Sequence, residues 1–93
     1  MDSITVNNQS FEAANIRTSH ANILMIKAKQ GFLGCGYFDV DTANRLQEPV
    51  AIVTGVKTYD DMLKANVVIA SDAALELGVQ PGMSGEEALL LLS

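Results

Sequence analysis

The only cysteine of this 93-residue chain, Cys35, lies between two glycines in Gly34-Cys35-Gly36. A thiol becomes a nucleophile when a base, a cation or a helix N-terminus stabilises its thiolate. The only histidine, His20, falls in the polar stretch Ser19-His20-Ala21. A second kind of chemistry is suggested by Gly55-Val56-Lys57-Thr58, which follows an apolar run and opens a helical pattern. Free backbone N–H groups at such a junction hold anions, and Lys57 adds charge. The segment lacks the G-x-x-x-x-G-K-[ST] pattern of a Walker A loop. Carboxylate pairs at Asp39/Asp41 and Asp60/Asp61 have the residue types for acid–base work or for Mg²⁺. They also stand at predicted helix starts, where capping explains them without a ligand.

The elements that must position these groups fall into two halves. Apolar runs at Ser3–Val6, Phe11–Thr18, Asn22–Lys29 and Phe32–Phe38 are separated by turn-type residues at Asn7-Asn8, Ser19-His20-Ala21 and Gln30-Gly31. That pattern predicts an antiparallel meander. After residue 40 the period changes. Asp41–Gln47 reads as a helix stopped by Pro49, and Val50–Val53 as a buried strand. Thr58–Lys64 reads as a helix with Thr58 as its N-cap, and Val67–Ala70 as a strand. Ser71–Leu77 is a helix ended by Gly78, and Ser84–Leu92 a helix opened by Ser84 with Glu87 three residues on. The expected fold class is α+β: a two-layer sandwich, residues 1–93 forming one domain, with short helices packed on the sheet.

A two-residue hairpin at Gln30-Gly31 sets the expected faces. It puts Ile26 opposite Cys35 and Leu24 opposite Tyr37. One face then carries Leu24, Ile26, Ala28, Leu33, Cys35 and Tyr37. The other carries Ile23, Met25 and Phe38 beside Gly34 and Gly36, together with Lys27 and Lys29. Strand glycines mark close approach by a backbone or a ligand, which makes Gly34 and Gly36 binding candidates with Gly55, Lys57 and Thr58. In this register His20 lies six residues beyond the Cys35 partner, roughly 20 Å along a straight strand. A Cys–His dyad within one chain is therefore not expected, and Cys35 reads first as a small buried hydrophobe. His20 reads as an exposed turn residue, and the two lysines as an edge device.

Composition narrows the function classes. Six basic residues against eleven acidic ones, a net charge of −5, argue against nucleic-acid and anionic-membrane partners. Seven of the acids (Asp39, Asp41, Asp60, Asp61, Asp72, Glu86 and Glu87) fall at predicted helix starts, so the charge reads as capping. One cysteine and one histidine cannot build a thiolate/imidazole zinc site, and neither a metal nor a cofactor is expected. No apolar run approaches the ~20 residues that span a bilayer. The opening Met1-Asp2-Ser3-Ile4 has no basic or apolar leader, so a cytoplasmic location is expected. The hydrophobic share of 48% is high for a chain this short. Leu89, Leu90, Leu91 and Leu92 cover most of a helix circumference, more than one core is expected to receive. With the second sheet face, they predict a homo-oligomer.

Gly31-Phe32-Leu33-Gly34-Cys35-Gly36-Tyr37-Phe38-Asp39-Val40 resembles the glycine–cysteine strand of the YunC-like family, a domain of unknown function in bacteria and archaea. Thr54-Gly55-Val56-Lys57-Thr58 with Asp61-Met62-Leu63 is similar to that family's second block. Gly82-Met83-Ser84-Gly85-Glu86-Glu87-Ala88-Leu89 is similar to its closing block. The resemblance implies an α+β two-layer domain of this size and no assigned reaction. Two functional readings follow from the residues. The first is a homo-oligomeric module that binds a small molecule, an anion or a protein partner. The second is a small enzyme using Cys35 at a subunit interface, with His20 or Lys57 supplied by a second copy.

Overall fold

A computed structural model describes residues 1–93. The elements are β1 (Asp2–Val6), β2 (Gln9–Arg17), β3 (Asn22–Lys27), β4 (Phe32–Gly34), α1 (Val40–Leu46), β5 (Val50–Ile52), α2 (Tyr59–Lys64), β6 (Ile69–Ala70), α3 (Asp72–Glu76) and α4 (Gly85–Leu91). The strands form one sheet in the order β1-β2-β3-β4-β5-β6. All neighbours are antiparallel except β4 and β5, which run parallel because α1 carries the chain back between them. The α+β reading and the N-terminal meander hold.

Asn7 and Asn8 both take positive φ, 53° and 65°, and close the two-residue β1–β2 hairpin with Val6 opposite Gln9. Asparagine tolerates that left-handed conformation, and a turn of this hand matches the strand twist. The β3–β4 connection differs from the expected one. Its loop runs over Ala28–Gly31, closed by Ala28 N–H donating to the Gly31 carbonyl at 2.8 Å, and it pairs Ile26 with Leu33 and Met25 with Gly34. The loop is docked elsewhere: Gln30 N–H reaches the Leu92 carbonyl at 2.8 Å, and a Cβ on Gly31 would stand 1.9 Å from the Pro49 carbonyl oxygen. The register therefore moves by two residues. Faces survive a shift of two, because side chains alternate with that period. Cross-strand partners do not survive it, and Cys35 now meets Leu24, whose carbonyl accepts from Cys35 N–H at 3.1 Å.

Strand β4 also stops early. The expected strand ran to Phe38, but the chain turns after Gly34, with Phe38 N–H donating to the Cys35 carbonyl at 3.2 Å. The Phe38 ring folds back over Gly34, where a Cβ would lie 2.7 Å from its Cδ2, and meets the Phe32 ring edge-on at 5.1 Å. Tyr37, expected on the core face, is 60% exposed because it sits in this turn.

The larger core cluster gathers Leu24, Ile26, Leu33, Cys35, Ala51 and Val53 from the sheet with Met62, Ala74, Ala88, Leu89 and Leu92 from the helical half. The smaller one, Ala43, Val50 and Ile52, lies on the opposite face, where Phe32, Phe38 and Val40 pack against it. The four leucines need no second protein. Leu89 and Leu92 are fully buried, Leu90 is half-buried and only Leu91 is exposed. Gly85 makes that burial possible, since its missing Cβ would stand 2.0 Å from the Met62 carbonyl oxygen where α4 crosses α2. All seven acids assigned to helix starts sit at an N-cap or in a first turn. No helix is long and apolar enough to cross a membrane.

Candidate functional site

Three connections meet at one end of the sheet. The β2–β3 turn lies beside the start of β3, hence beside the end of antiparallel β4. The loops that leave parallel β4 and β5 open on the same side. Between them is an open cavity of about 470 Å³ lined by His20, Ala21 and Asn22 from the turn, Cys35, Gly36 and Tyr37 after β4, and Gly55, Val56 and Lys57 after β5. Its size is in the range of small-molecule sites, and the carboxyl ends of parallel strands are where open sheets bind ligands.

Each wall is fixed locally. In the turn, Thr18 Oγ1 accepts from the N–H groups of Ala21 (3.0 Å) and His20 (3.4 Å) and donates to the Ala21 carbonyl (3.1 Å). That hydroxyl bends the chain and carries His20 toward the sheet end. The shifted register brings the partner of Cys35 from six to four residues from His20, and the two residues line one cavity. No hydrogen bond joins them. Cys35 is 4% exposed. Its Sγ accepts the Leu24 N–H at 3.4 Å and stands 3.9 Å from the Asn22 carbonyl. The thiol is thus both a core residue and part of the cavity floor.

The third wall departs from a backbone anion site. Gly55 takes φ +71° to turn the chain out of β5, a conformation glycine adopts freely. Thr58 Oγ1 then accepts the Asp61 N–H at 3.0 Å, while Asp61 Oδ2 accepts the Lys57 N–H at 3.0 Å. The Lys57 amide, one of the four at Gly55–Thr58 expected to hold an anion, is therefore engaged by the chain itself, and the Lys57 side chain is left without a partner at this wall. Of the five ligand-binding candidates, Gly36, Gly55 and Lys57 line the cavity; Gly34 lies under Phe38 and Thr58 caps α2. Tyr37, Asn22 and Val56 are lining residues that sequence reasoning missed; for Tyr37 the reason is the turn after Gly34, where a strand was expected.

The carboxylate pairs act locally. Asp39 N-caps α1, accepting from Thr42 Oγ1 at 2.9 Å and Asp41 N–H at 3.1 Å, and those bonds hold its pKa below the usual carboxylate value. Asp60 pairs with Lys64 at 2.8 Å, and that contact raises the lysine's pKa. Behind the site, Tyr59 donates to Asp2 Oδ2 at 2.6 Å and ties α2 to the edge strand β1. Burial, with that carboxylate, pushes the Tyr59 pKa up to about 12.

The sequence profile of the domain of unknown function DUF1805 matches residues 34–92. The chain belongs to the DUF1805 family. The uncharacterized protein YunC of Bacillus subtilis (strain 168) is 34% identical over 91 residues, covering 94% of this chain and 90% of YunC. The crystal structure of a protein of unknown function from Thermoplasma acidophilum superimposes with a TM-score of 0.93 at 35% identity, over 99% of this chain and 90% of that one. The DUF1805 match begins at Gly34, so it contains the β4 and β5 walls of the cavity. The turn that carries His20 precedes it.

Proposed function

We propose that this DUF1805 domain is a small cytoplasmic, homo-oligomeric module whose cavity at the ends of β4 and β5 binds a small molecule. The observation that carries the reading is convergence: three segments distant in sequence bring His20, Asn22, Cys35, Tyr37 and Lys57 to one concave surface. Amide chemical shifts recorded against a library of small fragments test it. Fragments that perturb Ala21, Gly36, Gly55 and Lys57 together are expected, and a library that leaves these amides unmoved overturns the reading.

Self-association draws its support from the second sheet face, now without the leucines. Helix packing concentrates on β4 and β5. On β2 and β3, Ile16 is 61% exposed opposite half-buried Ile23, with half-buried Met25 beside it. Sedimentation velocity at micromolar concentration is expected to give a mass above that of one chain, and a monomer removes this part of the proposal.

The enzyme reading keeps one supporting observation, the presence of Cys35 and His20 on one cavity. Against it stand the burial of the thiol and its bonds to backbone. A thiol reagent decides between them. Modification of the folded protein as fast as that of a free thiol favours the nucleophile, whereas modification limited by opening of the fold favours the binding module.

A further inference from the structure

We infer that the ligand of this cavity is a small organic carboxylate with a flat apolar body, its oxygens held by Lys57 and His20. This rests on the cavity being a binding site and adds the chemical class. The chain carries eleven acidic residues and six basic ones. Yet no Asp or Glu lines this cavity, while a lysine and the only histidine do. Each of the four other surface cavities includes at least one carboxylate. The lining of the β4–β5 cavity thus carries a basic residue and no acidic one in a chain of net charge −5, which is the arrangement that attracts an anion.

Neither side chain is committed to another partner. The structure's one ion pair joins Lys64 to Asp60, so the Lys57 ammonium has no carboxylate of its own. Asp61, the nearest acid in the loop, turns Oδ2 onto the Lys57 backbone N–H and does not line the cavity. The His20 imidazole makes no hydrogen bond, while its backbone is fixed by Thr18. Both loops are held before a ligand arrives, which spares the ordering cost of binding. The rest of the lining is Asn22, Cys35 and two glycines together with an apolar part, Ala21, Val56 and the ring of Tyr37, which is 60% exposed. An aromatic ring left in water beside a lysine and a histidine suits a ligand with one charged end and one flat end.

The test is a set of amide-shift titrations of the intact protein with four probes: benzoate, benzamide, benzylammonium and acetate. Benzoate is expected to perturb Ala21, Gly36 and Gly55 saturably, about fivefold more tightly than any of the other three. Lys57→Gln and His20→Gln each are expected to weaken benzoate by about fivefold and to leave benzamide unchanged. Both positions are exposed, and the bonds that hold their loops come from backbone and from Thr18, so both variants keep the fold. Benzamide or benzylammonium binding as tightly as benzoate overturns the anion assignment and leaves the cavity a binding site. Acetate matching benzoate overturns the flat body. If none of the four moves these amides the inference falls, and the wider fragment library separately decides whether the cavity binds anything.

Discussion

Replacing Cys35 by alanine and by serine separates packing from hydrogen bonding at one buried thiol. In a continuing antiparallel ladder the Leu24 N–H would donate to the Cys35 carbonyl, but that carbonyl turns away to accept from Phe38 at 3.2 Å. The Leu24 N–H is left with Cys35 Sγ, at 3.4 Å, and Leu24 is fully buried. Alanine removes that acceptor. A buried N–H without a partner costs about 1–3 kcal/mol. The emptied sulfur position adds about 1 kcal/mol of lost packing. Cys35→Ala is therefore expected to lose roughly 2–4 kcal/mol of the 5–15 kcal/mol typical of a domain. Serine is smaller and more polar than cysteine, yet its Oγ can accept from Leu24 N–H and donate to the Asn22 carbonyl. Cys35→Ser is expected to cost only about 1 kcal/mol. Urea titrations of the three proteins measure this, with equal slopes licensing the comparison of midpoints. The order wild type, serine, alanine is the expected one. An alanine variant as stable as the serine variant refutes the argument, since it would mean that the thiol is held by packing alone.

Three other perturbations test other joints of the fold. Ser71 is fully buried; its Oγ donates to the Glu48 carbonyl at 2.7 Å and accepts from Val50 N–H at 2.8 Å, so Ser71→Ala is expected to cost about 2 kcal/mol in the same urea assay, whereas an unchanged midpoint contradicts that role. Gly85→Ala would press a methyl against the Met62 carbonyl and is expected to cost about 3 kcal/mol by forcing α4 off α2; wild-type stability would mean that the helices can separate freely. In a Tyr37→Phe background the absorbance of the phenolate reports Tyr59 alone, with an expected midpoint near 12 that falls in Asp2→Asn. Because the folded pKa lies above the usual 10, this contribution to stability is complete below pH 10 and is lost as pH rises toward 12.

Much of the architecture could be read from the sequence because it is local. Thr58, Ser71 and Ser84 each accept from a backbone N–H three residues on, and Gly78 takes φ +98° just past α3, so caps and stops acted as their residue types dictate. The inward faces of β3 and β4 were also legible, since alternation is indifferent to a shift of two. The register itself was not. Its determinants are the Gly31–Pro49 contact and the Gln30–Leu92 hydrogen bond, which link residues far apart in the chain. The leucine run misled for a related reason: four consecutive leucines overfill one helix face but not a helix wedged between a sheet and α2. Gly34 signalled a close approach correctly, but the approaching group is Phe38 from the next turn.

The cavity depends on the one departure from the meander. A pure up-and-down order would send the connections after β4 and β5 to opposite ends of the sheet. The α1 crossover makes β4 and β5 parallel, so the Cys35–Tyr37 and Gly55–Lys57 segments leave the sheet on the same side. The β2–β3 turn is already there, because β3 begins where β4 ends. What fastens α1 in that position is the small cluster of Ala43, Val50 and Ile52 under Phe32 and Phe38. The same Phe38 ring lies on Gly34, which ends β4 and starts the turn that carries Cys35 and Tyr37 into the cavity. The minor core on one face of the sheet therefore sets the geometry of the cavity at its end, and the glycine before the cysteine belongs to that support rather than to the cavity lining.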